Sequence, residues 1–288
     1  MNVSTTPIEP LPLLLAGLVL MLQFLSCCGI ALVAVLARKR LLSGESFSSG
    51  VGPSIWETFD LKLIVGVIIM AISQIFLLGF ALARLKLIAS DADRVRFMLC
   101  AQGFFYGIFL LLVYILLHRK QKTWRKAFGF GRCGAGRTIS SAAVCLLAIK
   151  IPVELLALVT VGIFYCLGVP VEQQDILQDF LKLKDPWLRG GIVMLAVAGA
   201  PIFEEILFRG IIYPVLKTHY GFIHAAWVTS LLFAAFHFHP PSVLPLFGLA
   251  MGFTLLYEWT GSLACCILMH SMFNTLSLCI LLLKEVLV

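Results

Sequence analysis

The chain has 288 residues, of which 60% are hydrophobic and only 13% carry a charge. A soluble domain usually carries about 25% charged residues, so this composition excludes an ordinary soluble domain and indicates an integral membrane protein. The net charge of +7 does not indicate nucleic-acid binding, because the basic residues cluster beside apolar segments, at 37–40 and 118–132. Such placement is typical of cytoplasmic loops and of contact with anionic lipids.

Apolar segments of helical length follow one another along the chain. Crossing the hydrocarbon core takes about 20 apolar residues in a helix, and the alternating pattern of a membrane β-barrel does not occur in the sequence. The predicted fold class is an all-α, polytopic membrane helix bundle with about eight transmembrane helices. The predicted spans are 11–37, 61–83, 97–117, 139–166, 188–216, 223–239, 241–259 and 262–284.

The order of these spans predicts one membrane domain with two parts. Residues 1–187 form an N-terminal four-span region, and residues 188–288 form a four-span core that holds the candidate catalytic residues described below. Apolar residues at helical spacing within 171–187 predict an amphipathic helix in the membrane interface, which Pro186 is expected to end.

The distribution of lysine and arginine predicts the orientation in the membrane. Basic loops stay on the cytoplasmic side. An outside N-terminus places both basic clusters and Lys217 in the cytoplasm. We therefore expect the candidate site to open toward the cytoplasm, and the bacterial cell membrane is the expected location.

Three charged residues interrupt the fifth predicted span. Glu205 and Arg209 are four residues apart and share one face of a helix, so they are expected to form an ion pair. Glu204 lies about 100° away around the helix and lacks that partner. An ionisable group in mid-membrane costs about 2.5–3.5 kcal/mol on insertion scales, which makes Glu204 a functional candidate. The alternative is a structural glutamate that is hydrogen-bonded between helices.

The later spans add imidazole and amide groups. Phe233 and His237 are four residues apart, as are His270 and Asn274, so each pair shares a helix face. His239 would lie about 200° from His237 on a continuous helix, and we therefore expect it at the interface and outside the site. A carboxylate, two imidazoles and an amide that meet inside a dry bundle are typical of a hydrolytic centre.

These residues form three motifs, E-E-x-x-x-R, F-x-x-x-H and H-x-x-x-N, in that order along the chain. With them, residues 188 to 284 resemble the CPBP family of intramembrane endopeptidases, which includes the type II CAAX prenyl endopeptidases and bacteriocin-processing or immunity proteins. The first four spans carry no matching motif. The motif residues in this sequence are Glu204, Glu205, Arg209, Phe233, His237, His270 and Asn274.

The resemblance implies hydrolysis of a peptide bond in a membrane-associated substrate, either a prenylated CAAX-type protein or a leader peptide. The expected partners are this peptide or prenylated protein and the lipid bilayer, with no nucleic acid. The implied roles are water activation by Glu204 and His237, oxyanion stabilisation by His270 and Asn274, and structural support by Glu205, Arg209 and Phe233.

The cofactor requirement has two possible answers. Glu204, His237 and His270 are residue types that bind zinc, but the H-E-x-x-H motif of many zinc proteases is absent from the sequence. We expect no cofactor, with zinc as the alternative.

The rival class of function is a non-enzymatic membrane protein, either a proton-coupled transporter or an immunity or scaffold factor. A transporter of the common folds would show paired half-repeats with broken helices, which the sequence lacks. A degenerate family member would have lost a motif residue, whereas all of them are present here.

Overall fold

The computed structural model describes residues 21–34, 36, 51–52, 54–84, 90–171 and 180–287. Within these residues the chain folds into helices joined by short turns, and six helices are long and apolar enough to cross a membrane. The predicted all-α polytopic bundle is therefore confirmed, and the chain is an integral membrane protein.

The N-terminal and C-terminal helices share one core, because α5 packs against α7 and α8, and α7 packs against the last part of α6. A short 3₁₀ turn, Pro240–Ser242, leads into α7. In chain order the helices are α1 (Met21–Ala34), α2 (Thr58–Arg84), α3 (Asp91–Arg119), α4 (Trp124–Phe128), α5 (Ala135–Cys166), α6 (Pro186–Ala235), α7 (Val243–Thr260) and α8 (Leu263–Leu287).

Helix α6 is too long to be a single span. Its 50 residues would extend about 75 Å at 1.5 Å per residue, whereas the hydrocarbon core is about 30 Å thick. Gly221, with φ 76° and ψ 174°, breaks the helix. The parts on either side, α6a (186–220) and α6b (222–235), correspond to the predicted fifth and sixth spans.

Two widened turns interrupt α6a. The π-helical segments Leu195–Gly199 and Ile206–Ile212 flank the α-helical segment Ala200–Glu205, which carries both glutamates. A π turn adds a residue to the helical repeat and occurs frequently at functional sites. The direction of side chains along α6a therefore departs from that of an ideal helix at both ends of the glutamate pair.

Small residues let α7 approach α5 closely. A Cβ atom on Gly248 would lie 2.5 Å from Cδ1 of Leu156, and one on Gly252 would lie 3.0 Å from Cγ1 of Ile149. The spacing G-x-x-x-G is typical of close helix packing in membranes. This contact holds in place the part of α7 that contributes to the site described below.

Pro186 begins α6, and the helical residues 180–182 before it end without reaching it. The Asp185 side chain caps α6 by accepting hydrogen bonds from the backbone N–H groups of Trp187 and Leu188. Proline is favoured in the first turn because its missing N–H would have no partner there. Of the predicted interfacial helix at 171–187, residues 172–179 lie outside the described residues, as do residues 11–20 of the predicted first span.

Replacing Gly221 by alanine should destabilise the fold. The backbone angles of Gly221 are essentially restricted to glycine, and imposing them on another residue costs about 1–3 kcal/mol. No atom lies within 4 Å of the added Cβ, so the cost comes from the backbone alone. Unfolding in detergent should show this loss for Gly221→Ala. Gly107→Ala in α3, where the Cβ also has open space, is the control and should show none; equal stability of the two variants would contradict the prediction.

Candidate active site

The predicted ion pair between Glu205 and Arg209 is present and fully buried. Arg209 Nη1 donates to Glu205 Oε1 at 3.0 Å, and Nη2 donates to the carbonyl oxygen of Ala250 in α7 at 2.9 Å. Both side chains have 0% exposure. A buried ion pair offsets its desolvation only when further hydrogen bonds complete it. The Ala250 carbonyl supplies one of these and thereby links α6a to α7.

Two aromatic rings enclose the Arg209 guanidinium. Its central carbon lies 4.7 Å from the ring centroid of Phe233 and 5.1 Å from that of Phe253. A desolvated cation–π contact contributes about 2 kcal/mol. The Phe233 ring also lies 4.9 Å from the His237 ring. The phenylalanine of F-x-x-x-H therefore connects the ion pair to the histidine of its own motif.

His270 joins the same cluster from α8. Its Nδ1 atom lies 3.0 Å from Glu205 Oε1, and because a carboxylate only accepts, Nδ1 carries the hydrogen. The other ring nitrogen, Nε2, lies 3.9 Å from Glu204 Oε2, beyond hydrogen-bond length. Glu205 thus pairs with Arg209 and also orients His270, a contact that the sequence spacing did not predict.

Glu204 points away from this ion pair, as its offset around the helix predicted. Its side chain is 19% exposed, and Oε2 has no hydrogen-bond partner among the described residues. Glu204 lies within electrostatic range of His237 and His270. Its carboxylate is therefore positioned to receive a proton from a bound molecule.

His237 follows the end of α6b and has a defined tautomer. Its Nδ1 atom lies 2.8 Å from the carbonyl oxygen of Phe233. A carbonyl only accepts, so Nδ1 carries the hydrogen and Nε2 of the neutral ring carries the lone pair. An unprotonated ring nitrogen is the group that a general base requires.

Asn274 connects α8 to the first widened turn of α6a. Its Nδ2 atom donates to the carbonyl oxygen of Ala196 at 2.8 Å. A side-chain amide nitrogen has two hydrogens, so this bond leaves one for a second acceptor. The wide turn at 195–199 and the asparagine motif of α8 are thus held together.

The four candidate catalytic residues line one cavity of about 560 Å³, a volume typical of ligand-binding pockets. The structure therefore brings together side chains from α6a, from the segment after α6b and from α8. A second cavity of about 280 Å³ shares Glu204 and His237 with the first. These two residues lie between the cavities, whereas His270 and Asn274 line the larger one.

Helix α3 also contributes to the site, although its sequence carries no motif. Gln102 and Tyr106 line the smaller cavity together with Glu204. The Tyr106 ring stacks on Phe203 at 4.6 Å between centroids, next to the glutamate pair. The sequence does contain an indication of this role. Gln102 and Tyr106 are polar residues four positions apart in an apolar segment, so they share one face of the helix.

The prediction that His239 lies outside the site is wrong, because His239 lines the larger cavity together with His237. The expected offset of 200° applies only along a helix. Helix α6b ends at Ala235, and Phe238 adopts a left-handed conformation with φ 48°. The two histidines therefore do not follow a helical arrangement.

The zinc alternative requires three protein ligands around one position. Within the described ranges, no group of three histidine, cysteine, aspartate or glutamate side chains is arranged to hold a metal ion. Glu204, His237 and His270 do not form such a group. No reaction step is therefore assigned to a metal.

Removing Arg209 should destabilise the protein more than removing an exposed arginine. Arg209→Ala leaves the Glu205 carboxylate buried without its counter-charge, which costs about 3–5 kcal/mol in the free energy of unfolding. Arg96→Ala, which removes exposed ion pairs with Asp93 and Asp185, should cost about 0–1 kcal/mol. Denaturant unfolding in detergent measures both, and equal losses would contradict the assigned role of the buried pair.

Comparison with known proteins agrees with the motifs. Residues 186–276 match the model of the family described as type II CAAX prenyl endopeptidase Rce1-like. A protein of Bacillus subtilis (strain 168), described as uncharacterized protein YpbD, is 45% identical over 64 residues, which cover 21% of this chain and 30% of that protein. The match thus spans less than a third of that relative's length. No solved structure matches the chain.

The matched region contains every motif residue, from Glu204 to Asn274. The matching family is a family of proteases, which supports a peptidase activity for this membrane protein. The match confirms the resemblance to the CPBP family that the motifs indicated, and it covers residues 186–276, about a third of the chain.

Proposed function

We propose that this protein is an intramembrane endopeptidase that hydrolyses a peptide bond of a membrane-associated substrate. The observation that carries the proposal is the convergence of Glu204, His237, His270 and Asn274 on one cavity inside an apolar bundle. The match of residues 186–276 to a protease family supports the same activity. An isolated structural glutamate would not require two imidazoles and an amide around the same cavity.

Water activation is assigned to Glu204 and His237. Glu204 Oε2 has no hydrogen-bond partner in the part of the chain that the structure describes, and Nε2 of His237 carries a lone pair. A water molecule that donates to both groups presents its oxygen to the scissile carbonyl carbon. One water proton passes to Glu204 during the attack and is later delivered to the leaving nitrogen. The products are a new carboxyl group and a new amine.

Oxyanion stabilisation is assigned to His270 and Asn274. Asn274 donates its second amide hydrogen, while the first remains bonded to Ala196. His270 donates from Nε2 when both ring nitrogens are protonated, while its Nδ1–H remains bonded to the Glu205 carboxylate. Each such donor contributes about 10²–10³ in rate.

The orientation follows from the end of the bundle at which the basic residues lie. Arg132 Nη1 donates to the carbonyl oxygen of Gly261 at 3.5 Å, so the basic loop before α5 lies beside the start of α8. Basic loops stay in the cytoplasm, and His270 lies about 10 Å along α8 from Leu263. Leu281, which lines the same cavity, lies about 27 Å along α8 from Leu263, so the cavity extends from the depth of His270 toward the end of the bundle opposite the basic loop. The protein is assigned to a bacterial cell membrane, with the basic loop in the cytoplasm.

The substrate is assigned as a peptide held at the membrane by an apolar anchor. A prenylated CAAX-type C-terminus and a leader peptide both meet this description. We assign residues 188–288 as the catalytic core and residues 1–187 to the same membrane domain. The described helices α3 and α5 support this division, because α3 lines the smaller cavity and α5 packs against α7 and α8.

Neutral substitutions at Glu204 and His237 should abolish cleavage without unfolding the protein. Glu204→Gln and His237→Gln each remove a proton acceptor and should lower kcat by about 10²–10⁴. The assay uses purified protein in phosphatidylcholine nanodiscs and a panel of palmitoylated and farnesylated octapeptides. His224→Gln, at an exposed histidine whose Nδ1 contacts the Tyr220 carbonyl oxygen, is the matched control. Equal product from the wild type and both variants would refute the proposal, and absence of product from the wild type would favour the non-enzymatic alternatives.

Chelators should leave the cleavage rate unchanged. The donor set described above does not form a three-ligand zinc site, so EDTA and 1,10-phenanthroline should not inhibit the purified protein. Metal analysis of the same active sample should give well under one zinc per chain. Inhibition that added zinc reverses would instead support the zinc alternative.

A further inference from the structure

Two polar side chains of α3 lie in the smaller cavity next to the proposed water-activating pair. Gln102 and Tyr106 line this cavity together with Glu204 and His237. The two residues proposed above as oxyanion donors line the larger cavity instead. The α3 pair and the oxyanion donors therefore lie in two cavities that meet at Glu204 and His237.

The Tyr106 ring is held in place by packing against α6a. It stacks on Phe203 at 4.6 Å between centroids, with 19° between the ring planes. A Cβ atom on Gly199 would lie 3.4 Å from Cε2 of Tyr106, so the ring also lies against the end of the first widened turn. The Tyr106 hydroxyl is within hydrogen-bonding range of the Gln102 side chain and within electrostatic range of Glu204. These contacts fix the ring beside the glutamate without using the hydroxyl.

The hydroxyl of Tyr106 has hydrogen-bonding capacity beyond its contact with Gln102. It does not donate to Glu204 Oε2, because that oxygen has no partner among the described residues. A phenol has one hydrogen and two lone pairs, and a primary amide has two hydrogens and a carbonyl oxygen. One hydrogen bond between Tyr106 and Gln102 therefore leaves both a donor and an acceptor for a ligand.

A peptide that extends past Glu204 into the smaller cavity needs hydrogen-bond partners there. Each peptide unit has one donor and one acceptor, and lipid offers no partner for either. Apart from Glu204 and His237, the described side chains that line this cavity are isoleucines and phenylalanines, together with Gln102 and Tyr106. The α3 pair is therefore the source of polar side-chain groups on this side of the proposed water-activating pair.

We propose that Tyr106, oriented by Gln102, is a substrate-binding residue whose hydroxyl donates a hydrogen bond to a main-chain carbonyl oxygen of the peptide in the smaller cavity. This inference rests on the proposed peptidase function and deepens it, because it assigns a binding residue to α3, outside the region 186–276 that matches the protease family. The bond fixes the position of the peptide relative to Glu204 from the side opposite the oxyanion donors.

Two other roles for the Tyr106 hydroxyl predict different results. If it only completes the packing with Gln102, its removal changes the stability of the protein and leaves peptide binding unchanged. If it donates to the Glu204 carboxylate in the complex, its removal lowers kcat and shifts the pH profile of kcat, again without an effect on binding. A contact with the substrate instead raises the dissociation constant and KM, with little effect on kcat.

The experiment measures peptide binding without cleavage. In a Glu204→Gln background in phosphatidylcholine nanodiscs, the dissociation constants of fluorescent octapeptides from the panel above are compared with and without Tyr106→Phe. Phenylalanine keeps the ring that stacks on Phe203 and removes only the hydroxyl, so the dissociation constant should rise about 3- to 10-fold, the effect of one lost hydrogen bond. Gln102→Met should act in the same direction. Tyr114→Phe, at an exposed tyrosine about two turns further along α3, is the matched control and should leave the dissociation constant unchanged.

The outcomes separate this inference from the proposed function. Equal dissociation constants with and without the Tyr106 hydroxyl, or no binding by either protein, overturn the substrate contact, as does a Tyr106→Phe variant that binds normally but turns over slowly. Binding that depends on the hydroxyl in a wild-type protein that cleaves no peptide supports the contact and refutes the peptidase. If Tyr106→Phe does not fold, Gln102→Met tests the same inference.

Discussion

An arginine buried inside an apolar bundle has to find its hydrogen-bond partners within the protein, because lipid offers none. Arg209 finds a carboxylate on its own helix and a carbonyl oxygen on α7, and two phenylalanine rings cover its faces. The same carboxylate, Glu205, also contacts His270 of α8. One charge thus sets the relative positions of α6, α7 and α8. The positions of the neighbouring groups that line the cavity depend on that arrangement.

The electrostatics of the site depend on Glu205, whose carboxylate contacts both Arg209 and His270. Arg209 neutralises the charge of Glu205, which lets a second carboxylate, Glu204, sit beside it in the chain. The widened turns on both sides of the glutamate pair carry groups that take part in these contacts. The first places the carbonyl oxygen of Ala196 where Asn274 reaches it, and the second contains Arg209. Helix α6a therefore departs from regular α-helical geometry on both sides of the glutamate pair, where it contributes polar groups to the site.

The position of Glu204 and His237 between two cavities constrains how a substrate can lie. A chain that passes between them has polar groups of α8 and of the turn after α6b on one side, and aromatic side chains with Gln102 and Tyr106 on the other. The N-terminal helices consequently do more than anchor the protein. Because α3 lines the smaller cavity, this region helps to shape the space next to the proposed water-activating pair.

The sequence by itself determined the class of the protein, the approximate spans, the Glu205–Arg209 pair and the seven motif residues around the site. These features depend on local rules, since apolar length sets a span and a separation of four residues sets a shared helix face. Only the tertiary structure decided that Glu205 contacts His270, that α3 lines a cavity beside Glu204, and that His239 faces the site. The first two are contacts between helices distant in sequence, which depend on packing. The third depends on a left-handed phenylalanine after the last turn of α6b, where helical spacing no longer determines the direction of a side chain.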